Sequence, residues 1–297
     1  MPEPTRSPAA ALLVALRPKQ WVKNVFVFAP LVFADRLFDA HAVALALATF
    51  VTFCLLSSAV YLANDVRDRE ADRLHPVKCR RPIAAGELSP AVAIAASVVL
   101  DAMALAAAFV IAPRVGGVAT AYLVLNILYS FGLKRVVILD VMIVASGFLL
   151  RAAAGAFALD VLISHWLVLC TGLLALFLGF VKRRQEIATL TDGLGTRAIL
   201  REYSLPFLDE MIGVVTAATV VAYAFYAFDP KTAEKLHTEY MGLTIPFVLY
   251  GIFRTLYLVH QRGEGENPTG LFLSDRPLQV AVLSWGVSVV LLLYFRP

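Results

Sequence analysis

The chain reads Asn64-Asp65-Val66-Arg67-Asp68-Arg69-Glu70-Ala71-Asp72 where a long apolar segment ends. On a helix that turns about 100° per residue, Asp68 and Asp72 lie about 40° and 80° from Asn64. Asp65 lies about 100° from Asn64, and Glu70 points away. One amide and three carboxylates therefore share a face, where like charges repel unless a cation neutralises them. Oxygen ligands at a membrane surface suit Mg²⁺. We therefore predict a metal site in the acidic cluster, defined as Asn64, Asp65, Asp68 and Asp72; a merely solvated helix end is the alternative.

The apolar segments predict an integral membrane protein with an all-α fold. Of the 297 residues, 60% are hydrophobic and only 16% are charged, which leaves no room for a separate soluble domain. Segments of about 20 apolar residues recur, and each can cross a bilayer as a helix. We predict a single transmembrane domain over residues 1–297, with about nine transmembrane helices near 22–36, 43–63, 91–112, 116–131, 137–158, 163–181, 211–228, 241–259 and 278–295.

Two further features narrow the class of protein. Residues 1–16 lack the basic start, apolar core and small-residue cleavage site of a secretory signal. The three cysteines, Cys54, Cys79 and Cys170, have no metal-ligand spacing, and two of them lie inside predicted spans. A cysteine-ligated metal site is therefore not expected.

Lys and Arg are distributed unevenly between the loops, which sets the expected orientation. The loops after spans two, four, six and eight carry most of them, including Arg67, Arg69, Arg73, Lys78, Arg80, Arg81, Lys134, Arg135, Lys182, Arg183, Arg184, Arg262 and Arg276. Because positive loops stay inside, we expect the N-terminus and the acidic cluster on the cytoplasmic side of the plasma (inner) membrane. The carboxylates would then face the cytoplasm with little packing. The net charge of +4 is spread over these loops and does not indicate nucleic-acid binding.

Basic and polar residues gather on the same side as the acidic cluster. The segment Arg17-Pro18-Lys19-Gln20-Trp21-Val22-Lys23-Asn24 enters the first predicted span. An α-helix would place Arg17, Gln20 and Asn24 within about 60° of one another, with Lys23 one step aside. Polar groups inside a span look into the bundle or a wet cavity, so these four residues are candidate substrate-binding residues. An interfacial anchor with Trp21 in the aromatic belt is the alternative, and it fits Arg17 better than the deeper residues.

More polar residues lie around the fourth and fifth spans. Tyr129 and Lys134 close the fourth span, and Asp140 and Arg151 share one face of the fifth. Asp140 and Arg151 are about 16 Å apart along a helix, so they cannot pair directly. Each needs a partner from another helix or from a ligand. An interhelical ion pair that holds the bundle together is an alternative that stays open.

The sixth span ends in Gly179-Phe180-Val181-Lys182-Arg183-Arg184-Gln185-Glu186. Lys182 and Glu186 are spaced for a pair on a helix surface. The side chains of Lys182 and Arg183 are expected to face water. The alternative is that these cations only set the orientation of the chain in the membrane. Ser274 or Asp275 would cap the last span, whereas Asp101 inside the third span has no evident partner. The remaining candidate substrate-binding residues are Tyr129, Lys134, Arg151, Lys182, Arg183, Glu186, Asp275 and Arg276.

The acidic cluster and its surroundings resemble a known family. The pattern Asn-Asp-x-x-Asp-x-x-x-Asp after a second span, among about nine spans, resembles the UbiA superfamily of intramembrane prenyltransferases. The segments 17–24, 68–76, 80–86 and 132–134 are similar to its decaprenyl-phosphate phosphoribosyltransferase branch, and the similarity runs through most of the chain. The resemblance implies a UbiA-like bundle whose acidic cluster holds Mg²⁺ against a diphosphate. Members usually have a second Asp-rich motif after span six, where this chain has Lys182-Arg183-Arg184-Gln185-Glu186.

The branch resemblance implies a Mg²⁺-dependent pentosyltransferase. Its donor would be 5-phosphoribosyl 1-diphosphate and its acceptor a polyprenyl phosphate of the decaprenyl type, giving a pentose precursor for cell-envelope glycans such as arabinan. Asp65, Asp68 and Asp72 would be catalytic through the metal, and the basic residues would bind phosphates of both substrates. One acidic cluster with several basic groups fits a donor that carries a diphosphate and a separate 5-phosphate.

Two other classes of function stay open. A true prenyltransferase would join a prenyl diphosphate to an aromatic acceptor, but the missing second Asp-rich motif counts against it. A non-enzymatic carrier of lipid-linked sugars would use polar residues along several spans, whereas the polar residues of this chain gather on one side of the membrane. The resemblance also permits a homo-oligomer.

Overall fold

Helices form the architecture of the protein, seen in a computed structural model that describes residues 6–188, 198–264 and 268–295. Residues 1–5, part of the segment considered for a secretory signal, lie outside the described residues. The α-helices are α1 (Pro8–Ala15), α2 (Ala29–Phe33), α3 (Ala40–Arg67), α4 (Arg69–Arg73), α5 (Pro90–Ile111), α6 (Pro113–Phe131), α7 (Leu139–Ala158), α8 (His165–Ala188), α9 (Leu205–Phe228), α10 (Pro230–Leu236), α11 (Ile245–Gln261), α12 (Pro268–Ser274) and α13 (Arg276–Tyr294). Asp39, Ser89 and Asp275 are examples of side-chain caps at their starts.

Eight helices in the described part of the chain are long and apolar enough to cross a membrane. They are α3, α5, α6, α7, α8, α9, α13 and the helical segment Tyr240–Gln261, which contains α11. These helices match eight of the nine predicted spans and confirm a multi-pass, all-α membrane protein. The first predicted span, 22–36, is not a long α-helix: it consists of the end of a 3-10 helix, the five residues of α2 and a turn.

The amino-terminal polar segment forms a 3-10 helix, Pro18–Phe28, that passes directly into α2. A 3-10 helix has three residues per turn, so side chains three positions apart lie in line. Gln20 and Lys23 therefore share one line and Trp21 and Asn24 the next, whereas Arg17 precedes the helix in a left-handed conformation with φ 55°; this corrects the grouping expected from an α-helix. Eleven residues is long for a 3-10 helix. Packing against α3 and α7 holds this one in place.

The two central helices of the bundle are α3 and α7. More than half of the membrane-spanning part of each is buried, 56% in both cases, against 17% for α5. The outer helices present apolar side chains outward, as lipid contact requires. Polar side chains inside the bundle must therefore come mainly from α3 and α7, and Asp65, Asp140 and Arg151 do. Asp101 of α5 has one carboxylate oxygen buried without a hydrogen-bond partner in the described residues.

The 3-10 helix approaches α7 most closely at Gly155. A side chain at this position would overlap the carbonyl group of Val27. Glycine has no Cβ atom, so the two backbones can touch there. The close approach brings Asn24 of the 3-10 helix within hydrogen-bond distance of Arg151, one helical turn before Gly155.

Candidate active site

The acidic cluster lies where α3 ends and α4 begins. Asp68 sits between the two helices, with φ −89° and ψ 6°, so the run is not the single helix from which a shared face was predicted. Asp65 and Asp72 are nevertheless close together, because both accept hydrogen bonds from Nη1 of Arg81, at 3.0 and 2.6 Å. Both carboxylates are buried, at 3% and 5% exposure, so the expectation of water-facing carboxylates is wrong for them. The loop after α4 folds back and covers them. Glu70 points away and pairs with Arg73 and its neighbour Arg69.

Each carboxylate of the acidic cluster has a cation beside it. Arg17 Nη2 lies 2.5 Å from Asp65, and Lys134 Nζ lies 3.0 Å from Asp68. Asn64 accepts a hydrogen bond of 2.5 Å from the Ser130 hydroxyl. The structure thus brings Arg17 and Lys134 to the acidic cluster. It also brings Arg81 and Ser130, which were not among the predicted site residues. The charge of Arg81 had been interpreted as a topology signal, and a single serine gives no sequence signal of a site.

The acidic cluster has the oxygen ligands that a magnesium site requires. Carboxylate and amide oxygens are ligands that Mg²⁺ accepts, and Arg81 between two carboxylates shows that the site attracts positive charge. Across the residues that the structure describes, no three Asp, Glu, His or Cys side chains are arranged to hold a metal ion. The carboxylates instead form ion pairs with Arg17, Arg81 and Lys134. The residues fit the metal chemically, and binding it would require the carboxylates to exchange these cations for the ion.

Deeper in the bundle lies a second group of polar side chains, here called the inner cationic cluster: Lys23, Asn24, Tyr122 and Arg151. Arg151 is only 5% exposed. It donates to three neutral acceptors, namely Asn24 Oδ1 at 2.6 Å, the Gly147 carbonyl at 2.7 Å and the Tyr122 hydroxyl at 2.9 Å. Arg151 thus satisfies its hydrogen bonds without neutralising its charge.

Lys23 adds a second cation beside Arg151. It is partly buried and comes directly before Asn24, which accepts the hydrogen bond from Arg151. Neither Lys23 nor Arg151 forms an ion pair within residues 6–188, 198–264 and 268–295. Gln20 lies one turn before Lys23 on the same line of the 3-10 helix. The inner cationic cluster therefore carries positive charge that no described residue neutralises.

Asn24 and Trp21 fasten the 3-10 helix to α3. The Asn24 amide donates to Cys54 Sγ at 3.2 Å and to the Ser57 hydroxyl at 3.4 Å. One turn earlier, the Trp21 indole donates to the Ser58 hydroxyl at 3.0 Å. Trp21 and Asn24 are three residues apart and so face α3 together. This leaves Gln20 and Lys23, which lie on another line of the 3-10 helix, to face elsewhere.

A third group, here called the Asp140 network, contains buried charges that neutralise one another: Tyr129, Asp140, Arg183, Glu186 and Tyr203. Asp140 is fully buried and accepts hydrogen bonds from Arg183 Nε at 2.6 Å and from the Tyr203 hydroxyl at 2.7 Å. Arg183 also donates to Glu186 and, at 3.1 Å, to the Tyr129 hydroxyl. As expected, Asp140 and Arg151 do not pair with each other, and their side-chain partners come from other segments of the chain.

Arg183 does not face water, so that prediction is wrong. Its side chain is 3% exposed because α8 continues to Ala188 and places Arg183 inside the bundle rather than at the helix end. Lys182 differs: its side chain is 41% exposed and pairs with Glu186 at 3.7 Å, as the spacing predicted. Tyr203 was missed, since nothing in the sequence near it signals contact with a residue 63 positions away.

Asp275 and Arg276 lie apart from these three groups. Asp275 caps α13, accepting from the Leu278 N–H at 2.8 Å, and pairs with Arg254 at 2.8 Å. The hydrogen bond from Arg254 holds the pKa of Asp275 below its usual range. Arg276 is exposed. No described contact joins Asp275 or Arg276 to the acidic cluster.

The bundle with its charged interior is that of a multi-pass membrane protein, and the family and relatives that it matches make it a transferase. The chain belongs to the UbiA prenyltransferase family, whose family model matches residues 25–275. Among curated relatives, a decaprenyl-phosphate phosphoribosyltransferase of Corynebacterium glutamicum is 37% identical and covers 99% of this chain and 90% of its own length. One of Mycobacterium tuberculosis is 35% identical, over 97% of this chain and 95% of that protein.

The fold is also found among solved structures. A UbiA homolog from Archaeoglobus fulgidus bound to GPP and Mg²⁺ superposes with a TM-score of 0.69. It covers 94% of this chain and 99% of its own, at 18% sequence identity. At this identity the similarity shows the fold alone.

Proposed function

We propose that this chain transfers 5-phosphoribose from 5-phosphoribosyl 1-diphosphate to a polyprenyl phosphate of the decaprenyl type and releases diphosphate. The observation that carries the proposal is near full-length similarity, at 35–37% identity, to proteins named decaprenyl-phosphate phosphoribosyltransferase. The charged interior supports it, because one acidic cluster suits a diphosphate with its metal and separate cations suit further phosphates. The product is a pentose carrier suited to cell-envelope glycan synthesis.

The reaction needs a charged site rather than a strong base. Asn64, Asp65, Asp68 and Asp72 would hold Mg²⁺, which when bound supplies positive charge to the diphosphate. An oxygen of the acceptor phosphate forms a bond to C1 of the ribose. The bond from C1 to the diphosphate oxygen breaks, and the diphosphate leaves with that electron pair. The acceptor phosphate is already an anion at neutral pH, so no general base is required.

The cations beside the acidic cluster would bind the phosphates of the sugar donor. Arg17, Arg81 and Lys134, which contact the carboxylates in this structure, would donate to donor phosphate oxygens once the metal takes the carboxylates. Lys182, in the last two turns of α8, would contact a further phosphate, while Arg183 would position Tyr129 and Glu186. Asp275 and Arg276 are left out of the proposed site, because Asp275 pairs with Arg254 and Arg276 is exposed.

A transfer assay with the purified protein tests this function. Labelled 5-phosphoribosyl 1-diphosphate, Mg²⁺ and polyprenyl phosphate should yield a labelled lipid, and a chelator should abolish the product until Mg²⁺ is restored. Polyprenol, which lacks the phosphate, is the control acceptor, and Asp68→Asn is the control variant expected to be inactive. Transfer of a prenyl group to an aromatic acid, with no use of the phosphoribosyl donor, would instead establish a prenyltransferase.

We further propose that the acidic cluster faces the cytoplasm from the plasma membrane. The excess of Lys and Arg in the loops on that side supports this orientation. In a Cys170→Ser background, a membrane-impermeant thiol reagent should label Cys79, which is partly exposed, only from the cytoplasmic side. Cys54 is buried and serves as an internal control. Labelling of Cys79 from outside intact cells would reverse the orientation.

A further inference from the structure

The inner cationic cluster has a charge that calls for an anion. Arg151 is buried among neutral acceptors, and Lys23, which comes directly before Asn24 of that group, forms no ion pair with a described residue. Buried cations without counter-charges are costly, because little water remains to solvate them and they repel one another. A bound anion would remove that cost. The Asp140 network cannot supply one, since Asp140 is already taken by Arg183 and Tyr203.

The inner cationic cluster lies on the membrane side of the acidic cluster. Asn24 links Arg151 to Ser57 of α3. Ser57 comes seven residues before Asn64, which is about 10 Å along an α-helix, and those residues lie inside the span. A group bound at Arg151 is therefore within the thickness of the bilayer. The soluble donor reaches the protein from the opposite direction, at the end of α3.

Aromatic side chains surround the guanidinium of Arg151. Its Cζ atom lies 4.8 Å from the centre of the Tyr122 ring and 5.5 Å from that of Phe148. Phe148 in turn packs edge-on against Phe26, with ring centres 5.2 Å apart. Positive charge beside an aromatic, apolar wall suits a molecule that has an anionic head and a hydrocarbon chain. A ribose phosphate, which is polar throughout, would gain nothing from such a wall.

We infer that Lys23 and Arg151 bind the phosphate of the lipid acceptor, and that the donor phosphates belong to the acidic cluster with Arg17, Arg81 and Lys134. This inference rests on the proposed function for the identity of the two substrates. The 3-10 helix joins the two places, because Arg17 comes directly before its first residue and Lys23 lies five residues into it, a rise of about 10 Å at roughly 2 Å per residue. Gln20 lies between Arg17 and Lys23 in the sequence, one turn before Lys23. The ribose C1 and the acceptor phosphate would meet beside it.

A binding experiment tests the inference without turnover. Thermal unfolding of the detergent-solubilised full chain is followed during titration with polyprenyl phosphate, polyprenol and inorganic phosphate. The wild type should be stabilised by polyprenyl phosphate at much lower concentration than by either of the others. Lys23→Gln should weaken this binding about tenfold to a hundredfold, the effect of losing a charge-assisted phosphate contact. Lys19→Gln, an exposed lysine of the same 3-10 helix, is the matched control and should bind as the wild type does.

Kinetics then separate the two substrates. Lys23→Gln should raise the KM for polyprenyl phosphate at least tenfold and change the KM for the donor by less than threefold. Lys134→Ala should do the reverse. Lys23→Arg retains the charge and should keep the acceptor KM within about threefold, which guards against a variant that fails only through misfolding. A rise in donor KM alone for Lys23→Gln would assign the inner cationic cluster to the donor and overturn the inference.

The outcomes also separate this inference from the proposed function. If the protein forms no phosphoribosyl lipid yet binds polyprenyl phosphate through Lys23, the proposed reaction fails and the binding site stands. If transfer occurs but Lys23→Gln leaves acceptor binding within twofold of wild type, the site assignment fails and the reaction stands. Stabilisation of the wild type by inorganic phosphate at as low a concentration as by polyprenyl phosphate would identify a site for free phosphate, which also overturns the assignment.

Discussion

Asp140 and Arg151 lie on the same helix, eleven residues apart, and their surroundings are opposite. Asp140 is fully buried, and Arg183 and Tyr203 both donate to its carboxylate. Arg151 is equally enclosed but has only neutral acceptors, with Lys23 as a second cation beside it. Removing one partner of a buried ion pair is costly, so the Asp140 network holds helices together. The positive charge of Arg151, which no described residue neutralises, is instead available to bind an anionic substrate.

The strongest test of this comparison is the removal of Arg183. Arg183→Met leaves the buried Asp140 carboxylate without its cation, and we expect a loss of about 3–5 kcal/mol of stability. Thermal unfolding in detergent measures it. Arg184→Met is the adjacent control, because Arg184 pairs with the more exposed Asp209 and should cost far less. Equal stability of Arg183→Met and wild type would show that the Asp140 network is not structural.

Lys182, next to Arg183, should show the reverse pattern. Its side chain is 41% exposed, so Lys182→Ala should leave the unfolding temperature almost unchanged. Loss of one phosphate contact, about 1.5–3 kcal/mol, should lower kcat/KM with the phosphoribosyl donor about tenfold to a hundredfold. Lys235→Ala, at an exposed position of α10, controls for general charge effects. A change in kcat/KM below twofold would show that Lys182 does not bind substrate and serves only as a topology signal.

Lys23 should affect stability with the opposite sign to Arg183. Lys23→Met removes a cation that is repelled by Arg151 and Arg17, so the ligand-free protein should become more stable by about 1 kcal/mol. Thermal unfolding without acceptor measures the change, and transfer activity should fall in the same variant. Destabilisation by Lys23→Met would mean that the charge has a structural partner, and the contrast with Asp140 would disappear.

The smallest effect on stability is expected at the start of α13, where Asp275 pairs with Arg254. Asp275→Asn retains a helix cap and removes only the charge, so the unfolding temperature should stay within about 2 °C of wild type at pH 7. The pair lowers the pKa of Asp275 in the folded state. Its contribution is therefore present at neutral pH and is lost as the pH falls toward 4 and below. A larger, pH-independent loss would point to packing instead.

Local patterns in the sequence predicted much of this structure. Long apolar segments correspond to eight helices because the bilayer fixes both their length and their composition. The Lys182–Glu186 pair and the Asp275 cap were also predictable, since each depends on residues within one helical turn. The 3-10 helix was not, because apolar content does not distinguish three residues per turn from 3.6. Its lines of side chains therefore differ from the expected ones.

Contacts between distant segments account for what the sequence did not reveal. Arg81 reaches Asp65 and Asp72 only because the loop after α4 folds back. Tyr203 reaches Asp140 from the segment just before α9, 63 residues further along the chain. The sequence identified the carboxylates, whose clustering within nine residues is local. It could not identify which cations they contact or that Arg183 is buried, since burial is decided by packing between helices that are far apart along the chain.

The 3-10 helix has a consequence for how the protein is made. Residues 18–28 leave the ribosome before α3 and long before α7, although both helices pack against them. Asn24 and Arg151 are separated by 127 residues. At about 5–20 residues per second, the segment waits roughly 6–25 s for its partner to be synthesised. The 3-10 helix can therefore complete its contacts only after α3, α5, α6 and most of α7 have been synthesised, although it precedes all of them in the chain.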